Sequence, residues 1–219
     1  MQRLIWSDLD AKARERALSR PEARASDELV GIVRAIVDDV RVRGWEALAE
    51  HSRRIDGQQP RLVEVAPLSA VARASLTADQ LEAIELARSN VAAFHEAMVP
   101  SDHRIETQPG ISVGKLWRPI ERCGLYVPGG NAPLFSTLLM LALPARAAGV
   151  KDIAVATPPT REGGVNPVIA LAAELCGISH VWAMGGAQAI AALAFGAGEV
   201  PRCDKIFGPG NAYVAAAKS

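Results

Sequence analysis

His180-Val181-Trp182-Ala183-Met184-Gly185-Gly186-Ala187-Gln188-Ala189-Ile190-Ala191-Ala192-Leu193-Ala194-Phe195-Gly196 runs from a short apolar segment, through a double glycine, into a longer apolar segment closed by another glycine. Read as strand, tight turn and helix, it is most of one βαβ unit. Similar apolar runs occupy 123–127, 152–156 and 203–207, spaced along the chain as strands are when a crossover helix separates them. Between them 134–148, 167–176 and 187–195 read as helices, the second with Asn166 as N-cap and Gly177 just past its end. Strand and helix in alternation build a parallel sheet with crossover helices, so the fold class is α/β. Pro144 falls inside the first of these helices and predicts a kink or a split there.

Upstream of Pro119 the pattern is helical and charged. Ser7 reads as the N-cap of a short helix over 7–18, which Arg20-Pro21 breaks, so 1–22 is an N-terminal arm. Ser26 caps a second helix, in which Leu29, Ile32, Val33, Ile36, Val37 and Val40 recur at helical spacing up to Gly44. Trp45 to Ile55 continues helically, Asp56-Gly57 ends it, and 62–66 reads as a short strand. Thr77-x-x-Gln80 is a capping box opening a helix to about Met98, with Leu81, Ile84, Ala87, Val91 and Phe94 or Met98 as its apolar stripe. The chain thus divides into the arm (1–22), a mainly helical part of a first domain (23–119), and a Rossmann-like sheet domain (120–219). The helices of the middle part are expected to pack against sheet that further sequence would complete.

Composition narrows the function. The 219 residues are 49% hydrophobic and 22% charged, a globular balance. Lys plus Arg and Asp plus Glu are 24 each, so no net field draws the chain to nucleic acid or an anionic membrane. Cys123, Cys176 and Cys203 form no C-x-x-C pair and His51, His95, His103 and His180 no i, i+4 pair, so neither a disulfide framework nor a metal site is indicated. A soluble, cytoplasmic protein is expected.

Each of the four strands enters a Gly- or Pro-rich turn: Pro128-Gly129-Gly130-Asn131, Pro158-Pro159, Gly185-Gly186 and Gly208-Pro209-Gly210-Asn211. In a parallel sheet these turns share the carboxyl edge, where ligands bind. Glycines there admit close backbone approach, and the helix N-termini behind them offer N–H groups to an anion such as pyrophosphate. The full G-x-G-x-x-G fingerprint is absent, because Tyr213 stands where the third glycine would be. No phosphate-binding G-x-x-x-x-G-K-[ST] loop occurs, and the one G-x-S-x-G match, Gly110 to Gly114, is followed by no helical pattern that would make it a nucleophile elbow.

Four blocks, Gly124 to Gly130, Leu138 to Val150, Gly185 to Gly196 and Asp204 to Val214, resemble histidinol dehydrogenase, and the GGAQAIAALAFG and GPGNAYV stretches are the most specific of them. The resemblance implies NAD-dependent oxidation of L-histidinol through the aldehyde to L-histidine, with zinc holding the substrate in a homodimer. It also implies NAD contacts from Tyr126, Gln188 and Asn211, whose phenol, amide and amide are suited to stacking or hydrogen bonding. The family's zinc ligands, its Glu-His acid/base pair and its histidinol-binding residues belong to sequence beyond the GPGNAYV block, so no catalytic or metal residue is assigned here. The expectation is a cofactor-binding part, inactive alone. A related dehydrogenase of another small alcohol, or a non-catalytic NAD-binding or assembly module, is the alternative.

Overall fold

The computed structural model describes residues 4–18, 27–130 and 132–219. Ser26, Arg20-Pro21 and Asn131, read above as a cap, a break and part of a turn, lie outside them, as do residues 1–3 and 19–22 of the arm.

In the arm, Trp6–Asp8 is a 3-10 turn and α1 is Ala11–Leu18, with no buried residue in either. The helix begins later than Ser7 because that hydroxyl donates to Asp8, whereas Asp10 accepts the Ala13 N–H at 2.7 Å and does the capping. Then follow α2 (Asp27–Arg43) and α3 (Trp45–Ile55), joined by Gly44 at φ +59°, a conformation that favours glycine. Next come β1 (Arg61–Glu64), α4 (Val65–Ser75), α5 (Ala78–Ala97) and a hairpin of β2 (His103–Gln108) and β3 (Ile111–Lys115). The alternating half consists of β4 (Arg122–Tyr126), α6 (Phe135–Ala147), β5 (Asp152–Thr157), α7 (Pro167–Leu175), β6 (His180–Ala183), α8 (Gly186–Phe195), β7 (Lys205–Phe207) and α9 (Ala212–Ala217).

The main sheet has the order β1-β6-β5-β4-β7. Its four later strands are parallel, as the spacing predicts. β1 joins antiparallel to β6, so the sheet is mixed, and residues before Pro119 supply one of its edges. Side chains alternate across it. Cys123, Leu125, Val127, Val155, Val181 and Ala183 face α6 and α7, while Tyr126, Ala154, Ala156, Trp182 and Met184 face the layer built on α8. Gly124 keeps the second face flat: a Cβ there would lie 3.3 Å from atoms of Leu193, Cys203 and Ile206.

The helices before Pro119 pack on this sheet rather than waiting for more of it. Val40, Ala47 and Leu48 are buried among Trp182, Met184, Ile190 and Leu193, and Trp45 meets Trp182 edge-on with ring centroids 6.3 Å apart. On the other face α4 packs on α7, burying Ala72 with Leu171 and Ile84. α9, only six residues long, is held by the buried Val214.

Candidate functional site

β5 and β6 lie to one side of β4 and β7 to the other, so the strand order reverses between β4 and β7. Beyond the carboxyl ends of strands at such a reversal, an open α/β sheet has a crevice suited to a ligand. Tyr126 ends β4 at that point, and Asn211 follows the turn after β7.

Tyr126 connects three turns. Its buried phenol oxygen accepts the Gly186 N–H at 3.1 Å, capping the start of α8. Its carbonyl oxygen presses on the β7 turn so closely that a Cβ at Gly208 would collide with it. Burial holds the phenol above its ordinary pKa, and the nearby Asp56 charge adds to the rise.

Gln188 is fully buried in the first turn of α8. Its Nε2 donates to Asp56 Oδ2 at 3.1 Å, and the same oxygen accepts the Gly185 N–H at 3.0 Å. Burial raises the Asp56 pKa despite these two hydrogen bonds. Gln188 Oε1 has no partner among the described residues, an uncommon state for a buried acceptor. Gly186, at φ +64°, leaves room for it, since a Cβ there would stand 2.6 Å from Oε1.

Asn211 is exposed and caps α9, its Oδ1 accepting the Val214 N–H at 3.1 Å. Lys218 Nζ donates to the Gly208 carbonyl and ties α9 back to the same turn. The structure therefore joins Tyr126 and Gln188 through the start of α8, and sets Asn211 on the neighbouring β7 turn.

Two expectations are revised. The glycines at 185, 186, 208 and 210 are required by packing within the chain, against Pro158, Gln188, Tyr126 and Val214 respectively, rather than by ligand approach alone. The N-terminus of α8 is also only partly open to an anion, because the Gly185 and Gly186 N–H groups are taken by Asp56 and Tyr126. The N-terminus of α6 differs, with neither a side-chain cap nor an acidic residue in its first turn. Asp56 was missed as a site residue: Asp56-Gly57 reads as a plain helix end, and nothing local ties it to a glutamine 132 residues on.

Elsewhere the chemistry is quiet. Burial pushes the Cys203 thiol up to about 12 and those of Cys123 and Cys176 to about 11, so none is an activated nucleophile. No three His, Cys, Asp or Glu side chains gather to hold a metal ion among the described residues, and the set present does not fit zinc. An apolar hollow of about 680 Å³ beside β7, lined by Trp117, Ile120, Met140 and Phe207 among others, includes none of Tyr126, Gln188 and Asn211.

Comparison with known proteins gives one answer. The family model for histidinol dehydrogenase matches residues 18–219. Histidinol dehydrogenase of Xylella fastidiosa (strain Temecula1 / ATCC 700964) is 44% identical over 219 residues, 100% of this chain and 51% of that protein. The Campylobacter jejuni (strain RM1221) enzyme is 44% identical over 220 residues, covering 100% and 50%. The crystal structure of histidinol dehydrogenase from Elizabethkingia anophelis superposes with a TM-score of 0.85 at 38% identity, over 96% of this chain and 48% of that one. The chain spans about half the length of the curated relatives it matches.

Proposed function

Because the chain belongs to the histidinol dehydrogenase family, we propose that it is the NAD-binding part of an enzyme oxidising L-histidinol through L-histidinaldehyde to L-histidine, and that its 219 residues turn over no substrate alone. The observation that carries this reading is the unpartnered, fully buried Gln188 Oε1 beside Tyr126 at the strand-order reversal. A ligand's donor entering this corner satisfies an acceptor that the fold leaves unfilled.

NAD, when bound, supplies the acceptor for the hydride leaving the alcohol carbon. The chain's own residues bind and orient: Gln188 offers a carbonyl acceptor and Asn211 an exposed amide, while the buried Tyr126 holds the start of α8 in place. The uncapped start of α6 beside Gly129-Gly130 offers backbone donors suited to the phosphates. Zinc, the acid/base groups and the histidinol contacts belong, in this reading, to the further length that the relatives have, and the complete form is a cytoplasmic homodimer without nucleic-acid or membrane partners. Among the described residues no helix is long and apolar enough to cross a membrane.

Calorimetric titration of the purified chain with NAD⁺, with circular dichroism on the same sample, tests the reading. Saturable binding is expected, with no NADH formed after histidinol and zinc are added. A folded chain that fails to bind overturns the cofactor assignment; NADH formation overturns the inactivity.

A further inference from the structure

Two backbone donors at the start of α8 already have partners. Gly185 N–H points to Asp56 Oδ2 and Gly186 N–H to the Tyr126 phenol oxygen. The side-chain atom left without a partner at this corner is Gln188 Oε1, which is buried. Its orientation is not free. Asp56 Oδ2 accepts only, so it fixes the amide with Nε2 inward and the carbonyl toward Gly186. Asp56 comes from the end of α3, so the helical part before Pro119 sets the polarity of a corner made by the sheet.

We propose that Asp56 is a positioning residue which holds Gln188 so that this corner accepts a neutral hydrogen-bond donor, a sugar hydroxyl or carboxamide N–H of a nucleotide, and turns phosphate away. The proposal rests on the cofactor reading for its ligand, but not for the Asp56–Gln188 lock. Two physical arguments support the exclusion of phosphate. The leading N–H groups, those of Gly185 and Gly186, are engaged, and a half-buried carboxylate beside them repels a second anion. A donor, by contrast, satisfies an acceptor whose burial without a partner is unfavourable.

The test is nuclear magnetic resonance on the ¹⁵N-labelled chain, with the Gln188 side-chain amide assigned by its loss in Gln188→Ala. In acid titration without ligand that amide is expected to follow the Asp56 carboxyl, and to lose the dependence in Asp56→Asn. At neutral pH, adenosine or nicotinamide riboside is expected to shift it, and inorganic pyrophosphate to leave it and the Gly185 and Gly186 amides unmoved. Asp56→Ala is expected to weaken NAD⁺ binding about tenfold, and Asp56→Asn, which keeps an acceptor in place, by no more than about twofold. An amide indifferent to Asp56 overturns the lock, whatever NAD⁺ does. Pyrophosphate moving the α8 amides, or phosphate-free nucleosides moving nothing while NAD⁺ binds, overturns the donor assignment and leaves water as the partner of Oε1. If NAD⁺ moves no resonance while Gln188 still follows Asp56, the cofactor reading fails and the lock stands.

Discussion

Gln188, Gly186 and Asp39 each present a separable chemical demand. Gln188→Ala removes one acceptor and is expected to weaken NAD⁺ binding by about 1 kcal/mol per lost hydrogen bond, read by calorimetry; unchanged affinity removes Gln188 from the site. Gly186→Ala meets two obstacles, a positive φ that costs an L-residue roughly 1–2 kcal/mol and a Cβ set against Gln188 Oε1. For a chain of this size, each kcal/mol lowers Tm by roughly 2–4 °C, so a thermal melt should show a clear drop even without ligand. Asp39, outside the site, contributes to acid behaviour. The Arg43 guanidinium, hydrogen-bonded at 2.6 Å, lowers its pKa to about 2, with His51 adding through a 2.8 Å contact. The folded pKa lies below the ordinary 3.8, so the contribution is complete above 3.8 and is lost as pH falls toward about 2. Urea midpoints measured across that window should fall less steeply in Asp39→Asn than in the parent. Added salt should shrink the difference, because the network is partly solvated.

Elements were legible where local signals were complete. The capping box of α5 is present as read, Thr77 Oγ1 accepting the Gln80 N–H at 3.3 Å and Gln80 Oε1 accepting the Thr77 N–H at 3.0 Å. Thr77→Ala is therefore expected to cost about 1 kcal/mol, measured by urea denaturation. The parallel strands and their helices fall within a few residues of the expected bounds, since buried strands read as short apolar runs between glycine turns. Other elements left no such mark. Every residue of the β2 and β3 strands is exposed, so the hairpin has no buried face to write an apolar period into the sequence, and Pro109-Gly110 marks only its turn. Helix α4 carries Pro67 in its first turn, where proline is tolerated but reads as a break. The same holds at the site: Tyr126, Gln188 and Asn211 stand in recognisable blocks, whereas Asp56 acquires its role only when α3 folds against the β6 turn. Such a long-range pairing leaves no spacing in a single sequence.

At the scale of the whole molecule, the division at 119/120 marks a change of pattern along the chain, and the packing argues that it is not a boundary of folding. β1, from before the division, pairs with β6, from after it. Leu48 of α3 is wholly buried in the same cluster as Trp182, Ile190 and Leu193. Removing that side chain should cost about 2–5 kcal/mol, the range for a buried leucine truncated to alanine. Where that cost appears is diagnostic. If 23–119 and 120–219 were independent, Leu48→Ala would loosen the helices and leave the sheet's own transition in place. With a shared core, a single transition moves as a unit, and far-ultraviolet dichroism and tryptophan fluorescence, to which Trp45 and Trp182 on either side of the interface contribute along with Trp6 and Trp117, coincide in parent and variant alike. We expect one transition, shifted to lower urea in Leu48→Ala. Two separated transitions, with only the first displaced, would make residues 120–219 a self-sufficient cofactor module and would confine Asp56 to a detachable attachment.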